Sequence, residues 1–312
     1  MLTVRSFSEL LAEKHRKESK PFHSILAVEE PEAHLHPSAQ KTLYSQLSVQ
    51  DGQVIVSTHS PYVASAAKIH DLRHIGKMGV ELKVRSFNRN ISPEQFKSIR
   101  RNVLLSKGDI LFASAVLLFE GQTEDQVVPA MFERYAGVSV NERGVVCACV
   151  NGHEYTPFLR VTTSLGIATY VLSDNDQNIK MNVDNQIARL KTDKNFDFTL
   201  FNHAFLASGN DFEAELIDHG MRPEIEAAMV LAAMAEVDNP NDTFRDNYSR
   251  AKREEFAALP NADLLEKMRN GKTSYSGFLA DVIRDSPPEK NAESLVPEKI
   301  RTAFDQLIKW VG

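Results

Sequence analysis

The sequence predicts an α/β protein built on parallel sheets, with a helix-rich region near its carboxyl end. Three observations favour this class: short apolar runs alternate with helical patterns, acidic residues follow several of these runs, and the chain after Met221 is rich in Ala, Met and Glu. In open parallel sheets, ligands bind beyond the carboxyl ends of the strands. The acids at those positions are therefore the first candidates for a functional site.

Length and composition fit an ordinary globular protein of two domains. The chain has 312 residues, of which 42% are hydrophobic, and its net charge is −6. This charge excludes a uniformly basic nucleic-acid binder, and the two cysteines are too few for a disulfide framework. Because no apolar stretch reaches roughly 18 residues and the amino terminus lacks a signal-peptide pattern, we expect a cytoplasmic protein with no membrane contact.

The first 108 residues predict one α/β segment. Ser24–Val28 and Gln53–Val56 read as adjacent, buried parallel strands, with a helix over Ala39–Leu47 between them. From Ala67 to Lys107, ten Lys or Arg face three acids, so this segment carries +7 and the rest of the chain −13. On charge alone a solvated connecting segment is favoured, and a phosphate-contacting surface is the alternative. We expect the chain to pass between domains around Leu105–Asp109.

Residues 109–312 predict a second α/β domain. The predicted order is strand, helix, strand, helix, strand, followed by one more strand, a helical region and a final helical pair. The strands are expected at Ala115–Phe119, Val145–Val150, Ala168–Leu172 and His203–Ala207, the helical insert at about 221–270, and the last helices at Tyr275–Ile283 and Pro297–Trp310. No zinc-finger, helix-turn-helix or interleaving of aromatic and basic residues indicates base reading.

Six acids follow three of the predicted strands in pairs. The pairs are Glu120 with Glu124, Asp174 with Asp176, and Asp211 with Glu213. If the strands are neighbours in one sheet, six carboxylates converge, and they stay ionised only when cations neutralise them. Hard divalent cations prefer oxygen ligands, and two such ions favour phosphodiester chemistry. We therefore predict a site for two Mg²⁺ or Mn²⁺ ions.

Each pair also has a simpler interpretation. Glu124 favours the positive end of a helix, the acids of Asp174–Asp176 suit a turn, and Asp211 is a good N-cap. The repetition at three strand ends favours a joint site. A cation is also expected near the phosphate, and Lys272 is the candidate, with a solvated surface lysine as the alternative. Although Gly271-Lys272-Thr273 resembles the end of a phosphate-binding loop, neither the earlier glycine nor a preceding strand is present.

Two segments of the first domain resemble ABC-type ATPases. Ile25-Leu26-Ala27-Val28-Glu29-Glu30-Pro31 and the following Glu32-Ala33-His34-Leu35-His36-Pro37 resemble the Walker B strand and D-loop, and Val54–Pro61 resembles the switch-histidine strand. The resemblance implies that Glu29 lies near a magnesium-bound water, that Glu30 polarises the attacking water and that His59 senses the γ-phosphate. Neither GxxxxGK[ST] nor an LSGGQ-like signature occurs, so we expect ATP to bind only in a longer, full-length protein of which this chain is the carboxyl-terminal part.

The second domain resembles a Toprim (Rossmann-like) domain with a helical insert. The resemblance lies in Phe119-Glu120-Gly121 and the later Asp174-Asn175-Asp176, and the order ATPase then Toprim resembles the OLD (overcoming lysogenization defect) family of nucleases. It implies that one metal is held by Glu120, Glu124 and Asp174 and the other by Asp176, Asp211 and Glu213, with Lys272 stabilising the phosphate. Glu120 could instead transfer a proton.

The function predicted on these grounds is metal-dependent DNA endonuclease activity without strong sequence choice. The family resemblance also implies a role in phage defence, possible homodimers and a helicase partner. The competing hypothesis is a non-catalytic regulatory and dimerisation module of an ABC-type ATPase, in which the acids bind a structural divalent ion.

Overall fold

The computed structural model describes residues 13–14, 16, 23–49, 52–78, 81–87, 91–175 and 177–312. It divides into two compact units, residues 1–112 and 113–312. Among the described residues, no helix combines the length and the apolar character needed to cross a membrane.

The first unit is organised around two short parallel strands. β1 (Ile25–Glu29) pairs with β2 (Gln53–Ser57) in register from Ile25 opposite Gln53. α1 (Pro37–Leu47) and α2 (Pro61–Ala66) pack against one face, where Leu43, Leu47 and Val63 form a small core. Both helices begin at a proline preceded by a side-chain cap, His36 for α1 and Ser60 for α2. The predicted strands and the helix between them are thus present.

The prediction that these strands are buried is wrong. Their residues alternate between exposed and partly buried positions, and Ile25 and Ile55 are 64% and 52% exposed. The alternation arises because side chains of a strand point to opposite faces, and in the described residues only one face of this pair is covered.

The basic segment after Ala67 is folded rather than a plain connection. It contains an antiparallel pair, β3 (His74–Met78) with β4 (Glu81–Arg85), and the helix α3 (Pro93–Ile99), which begins with a capping box between Ser92 and Gln95. The described part of this unit also contains a 3₁₀ turn at Ile69–Asp71, a π-helical turn at Arg100–Leu104 and a 3₁₀ segment at Gly108–Phe112.

The second unit contains a four-stranded parallel sheet. Its strands are β5 (Ala115–Phe119), β6 (Val145–Cys149), β7 (Ala168–Ser173) and β8 (Phe201–Phe205), in the order β6-β5-β7-β8. All residues of β5 and β7 are buried, which requires cover on both faces of the sheet. The predicted α/β class and the parallel sheet are confirmed, and β8 begins two residues earlier than expected.

Ten helices of the described chain accompany this sheet. They are α4 (Gln122–Ala136), α5 (Thr156–Leu165), α6 (Gln177–Lys191), α7 (Phe212–Asp218), α8 (Arg222–Ala235), α9 (Asp242–Ala258), α10 (Asn261–Asn270), α11 (Lys272–Arg284), α12 (Ala292–Leu295) and α13 (Glu298–Val311). One large core joins alternate residues of β5 and β7, such as Leu117 and Tyr170, to apolar residues of α4, α11 and α13. The helices expected between Met221 and Arg269 are present as α8–α10, whereas α6 was not predicted.

Candidate metal centre

The first acid, Glu120, directly follows β5 and is held by the two neighbouring strand ends. Its side chain is 6% exposed. Oε1 accepts hydrogen bonds from the Ser173 hydroxyl and, at 3.3 Å, from the Asp174 amide, while Oε2 lies 2.5 Å from Nδ1 of His153. Because β5 lies between β6 and β7, the segments after all three strands meet around this carboxylate.

Glu124 occupies the first turn of α4, next to Glu120. Oε1 accepts a hydrogen bond from the Gly121 amide at 3.1 Å, as expected for an acid at a helix amino terminus. Oε2 is buried and has no hydrogen-bond partner within the described part of the chain. Burial, reinforced by the nearby charge of Glu213, raises the pKa of Glu124 to about 7. A buried carboxylate oxygen without a donor suits a cation.

A side chain at position 121 would displace the carboxylate of Glu124, which folds back over Gly121. A Cβ at this position would lie 2.5 Å from Oε2 of Glu124. The absence of a side chain thus lets the second acid approach the end of β5.

Asp174 brings the end of β7 into the same group of acids. Burial raises its pKa to about 8, and the charges of Glu120, Glu124, Asp211 and Glu213 add to this effect in that order. Acids from two other segments of the chain, 120–124 and 211–213, therefore act on the carboxyl group of Asp174. The predicted partner Asp176 lies outside the described residues.

Asp211 has two contacts at once. It is the N-cap of α7, where Oδ1 accepts a hydrogen bond from the Ala214 amide at 3.0 Å, and Oδ2 lies 2.7 Å from Nε of Arg269. Burial acts to raise its pKa, but the bonds from Arg269 and Ala214 outweigh burial and hold the pKa below its ordinary value. The pair Asp211 and Glu213 therefore spans the start of α7.

Glu213 is the most deeply placed acid and is paired with Lys272. Its side chain has no exposed surface. Oε1 accepts a hydrogen bond from the Thr123 hydroxyl at 2.7 Å, and Oε2 accepts one from Nζ of Lys272 at 3.0 Å. Burial acts to lower the pKa of Lys272, but the charge and hydrogen bond of Glu213 together with the charges of Glu124 and Asp211 outweigh burial, so this pKa is raised and the lysine stays protonated. Lys272 is the first residue of α11.

Asn175 joins the loops that carry the later acids. Its amide donates to the Asn210 carbonyl at 3.0 Å, its Nδ2 donates to the Leu206 carbonyl at 2.6 Å, and its own carbonyl accepts from the Gly209 amide at 3.1 Å. These bonds connect the segment after β7 to the segment after β8. We refer to the region where Glu120, Glu124, Asp174, Asp211 and Glu213 meet as the carboxylate edge.

The carboxylate edge balances its charge with groups of the chain itself. Within the described residues, no three His, Cys, Asp or Glu side chains form an arrangement that encloses one ion. Instead, His153 contacts Glu120, Arg269 contacts Asp211, and Lys272 contacts Glu213. The donor set, carboxylate oxygens with one buried oxygen left unpaired, fits hard divalent cations, and binding of an ion would replace some of these contacts.

Sequence reasoning missed several residues of this edge. The polar side chains that it missed are Ser173, His153, Thr123, Asn175 and Arg269. Ser173 and His153 also lie at or after strand ends, so the rule that located the acids could have found them. Arg269 comes from the end of α10, and no local pattern indicates its partner.

The ATPase-like residues lie together in the first unit. Glu29 ends β1 opposite Ser57, and the following residue, Glu30, has a φ of 39°. Oε1 of Glu30 lies 3.5 Å from Nε2 of His59, and both side chains are largely exposed. The backbone amide of His59 donates to the Glu32 carboxylate at 3.1 Å, which holds the histidine segment against the segment after β1.

The two units thus define a protein with an ATPase-like α/β segment and a parallel sheet edged by acids. Residues 111–176 match the family model "Overcoming lysogenization defect protein-like, TOPRIM domain", and residues 2–64 match the AAA ATPase domain model. The resemblance to an ATPase segment followed by an OLD-type Toprim domain is confirmed by these two matches.

Curated relatives carry the name nuclease. The chain is 29% identical over 188 residues to the Old nuclease of Escherichia phage P2, covering 56% of this chain and 31% of that protein. It is 33% identical over 104 residues to the OLD nuclease of Thermus scotoductus, covering 30% of this chain and 20% of the relative. The chain therefore spans less than a third of the length of these relatives.

One solved structure that the chain matches is the C-terminal region of the Burkholderia pseudomallei OLD protein. The match has 19% sequence identity and a TM-score of 0.44, and it covers 64% of this chain and 100% of the other.

Proposed function

We propose that the chain is the nuclease-bearing part of an ATPase–nuclease and that it cleaves phosphodiester bonds of DNA as an endonuclease. The observation that carries this proposal is the meeting of acids at the carboxylate edge, where Glu120 contacts the end of β7 and a buried oxygen of Glu124 has no hydrogen-bond partner among the described residues. A buried acidic group of this kind is costly to maintain, and such groups are concentrated at functional sites. The similarity of residues 111–176 to a TOPRIM domain of nuclease-named relatives supports the choice of reaction.

The acids of the carboxylate edge are suited to hold two Mg²⁺ or Mn²⁺ ions. We assign Glu120, Glu124 and Asp174 to one ion and Asp211, Glu213 and Asp176 to the other. When bound, divalent cations activate water and stabilise the leaving oxygen of a phosphodiester. The contacts from Ser173 and His153 orient Glu120, and the Gly121 amide orients Glu124.

Lys272 supplies the fixed positive charge of the site. Its ammonium group lies 3.0 Å from Glu213, and its raised pKa keeps it charged. If Glu213 held a cation, the ammonium group of Lys272 would be available to stabilise the charge that develops on the phosphate. Glu120, the acid nearest to His153, is the alternative proton-transferring group.

A second candidate function is a regulatory or dimerisation module of an ATPase that binds one structural divalent ion. The observation that favours it is the pairing of Asp211 and Glu213 with Arg269 and Lys272, which neutralises two acids without a metal. ATP hydrolysis by Glu29, Glu30 and His59 belongs to the full-length protein in either case. The proposed homodimer and helicase partner rest on the family resemblance.

The test is cleavage of supercoiled plasmid with Mg²⁺ or Mn²⁺ by the wild type, Glu120→Gln and Asp174→Asn. Loss of an oriented acid from such a site lowers the rate of cleavage by about a hundredfold or more, and we expect this decrease in both variants. Asp305→Asn, on the exposed part of α13, is the matched control and should cut like the wild type. Equal cutting by all four proteins would reject the site, and a tight ion without cleavage would favour the regulatory module.

A further inference from the structure

β8 and the segment just before it carry a row of aromatic side chains at one edge of the four-stranded sheet. Phe198 lies 5.1 Å from Phe201 between ring centroids, Phe201 stacks on His203 at 5.8 Å, and His203 meets Phe205 edge-on at 5.8 Å. Phe201, His203 and Phe205 alternate along the strand and therefore share one face. All four rings are partly exposed.

Two lysines of α6 lie over these rings. Nζ of Lys180 is 5.3 Å from the centroid of Phe205, and Nζ of Lys191 is 5.7 Å from Phe198 and 5.5 Å from Phe201. Both lysines are exposed, so each ammonium group contacts an aromatic ring and also remains accessible to solvent. We call Phe198, Phe201, His203, Phe205, Lys180 and Lys191 the β8 ladder.

One acid lies beside the β8 ladder, and its charge is partly engaged by His203. Asp184, between the two lysines on α6, has Oδ1 3.5 Å from Nε2 of His203. The net charge of Lys180, Lys191 and Asp184 together remains positive, in a unit that is otherwise rich in acids.

The β8 ladder runs to the carboxylate edge. β8 pairs in parallel with β7 up to Ser173, which donates to Glu120. The chain after β8 continues into the segment of Asp211, and Lys180 lies in the first turn of α6, shortly after Asp174. A polymer bound along the β8 ladder would therefore end at the acids.

Partly exposed rings combined with lysines are the features by which proteins hold single-stranded nucleic acids. Bases stack on aromatic rings, and cationic side chains follow the phosphates. In a duplex the base faces are hidden in the stack and are not available to these rings. We propose that the β8 ladder binds single-stranded DNA and leads it to the carboxylate edge, an inference that rests on the proposed nuclease function.

Fluorescence anisotropy with a labelled oligo-dT strand in EDTA measures binding without cleavage, and a blunt duplex of equal length is the comparison. We expect the wild type to prefer the single strand. Phe201→Leu with Phe205→Leu should lower affinity for oligo-dT about tenfold or more, because the bases lose the rings on which they stack. Lys180→Gln with Lys191→Gln, which alters only exposed side chains, should lower it to a similar degree.

The matched control is Lys299→Gln with Lys309→Gln, which removes two exposed lysines of α13 and should bind like the wild type. Unchanged oligo-dT binding by both ladder variants would overturn the inference, as would a wild type that binds only the duplex. In either case Mn²⁺-dependent plasmid cleavage that requires Glu120 would leave the proposed nuclease function intact. Absence of such cleavage, with the ladder still binding oligo-dT, would reject the nuclease but not the binding surface.

Discussion

Lys272 and Glu213 form an ion pair at 3.0 Å across 59 residues of sequence, and the glutamate in this pair is fully buried. The pair connects the start of α11 to the first turn of α7, and thereby fixes the end of the helical insert beside the carboxylate edge. A buried carboxylate without its cation is costly, so the pair supports the fold of the site as well as its chemistry.

Lys272→Met should lower the free energy of unfolding of the metal-free protein by about 3 kcal/mol, because Glu213 is left as an uncompensated buried charge. Urea unfolding followed by circular dichroism measures this change. Lys309→Met, at an exposed position of α13, is the control and should alter the unfolding midpoint little. An unchanged midpoint for Lys272→Met would mean that Glu213 does not depend on this lysine.

The sequence located the acids well, because strand ends can be read from short apolar runs. β5 was predicted with its observed bounds, and Glu120 and Asp174 follow from where β5 and β7 end. Lys272 was named as the candidate cation from the sequence, but its contact with Glu213 could not be derived there, since it depends on how three helices of the insert return to the sheet.

Other features escaped the sequence because they arise from packing. The β8 ladder combines rings from one strand with lysines from the preceding helix, so no local interleaving of aromatic and basic residues exists. Burial of β1 and β2 was predicted from their apolar residues, but a strand's cover is supplied by distant segments. The hydrogen bonds of Asn175 likewise join two loops about 30 residues apart, at Asn175 and Leu206.

The stability of the metal-free protein should fall as the pH rises from about 4 to about 8. The pKa values of Glu124 and Asp174 in the folded protein are raised to about 7 and about 8. In this range the unfolded chain releases protons that the folded protein retains, so the unfolded state is favoured by up to about 1.4 kcal/mol per pH unit for each retained proton. At pH values below the pKa of these groups in both the folded and the unfolded state, their contribution to stability is fully present.

Thermal melts in EDTA at about pH 6 and about pH 8 measure this effect over the pH interval in which Asp174 titrates. Asp174→Asn removes one of the two groups and should reduce the loss of melting temperature between these conditions. Asp305→Asn, an exposed acid of α13, should keep the wild-type difference. If Asp174→Asn shows the same loss as the wild type, the carboxyl group of Asp174 does not titrate in this range.

Truncation at about Leu111 should leave most of the cleavage activity. The acids and Lys272 all follow this position, and residues 113–312 form a compact unit with its own core. Plasmid cleavage by residues 111–312, with Glu120→Gln in the same truncated chain as the control, measures the outcome. A folded truncation that cuts no DNA would show that the first unit, with its basic segment, is needed to bind the substrate.

Two substitutions of Asp211 distinguish its role as an N-cap from its role as a charged group, because asparagine can replace aspartate as an N-cap. Asp211→Asn keeps an acceptor for the Ala214 amide and loses the ion pair with Arg269, whereas Asp211→Ala loses both. We expect Asp211→Ala to unfold about 1 kcal/mol more easily than Asp211→Asn, as for other N-caps.

Both Asp211 variants should cut plasmid poorly with Mn²⁺, and both should lose part of the increase in melting temperature that Mn²⁺ gives the wild type. The reason is that a bound divalent cation stabilises the folded protein, and neither replacement offers a carboxylate to hold the cation. Wild-type cleavage and a wild-type Mn²⁺ shift in Asp211→Asn would assign Asp211 to the capping of α7 alone, and the second ion would then have to be held by Glu213 and Asp176 without it.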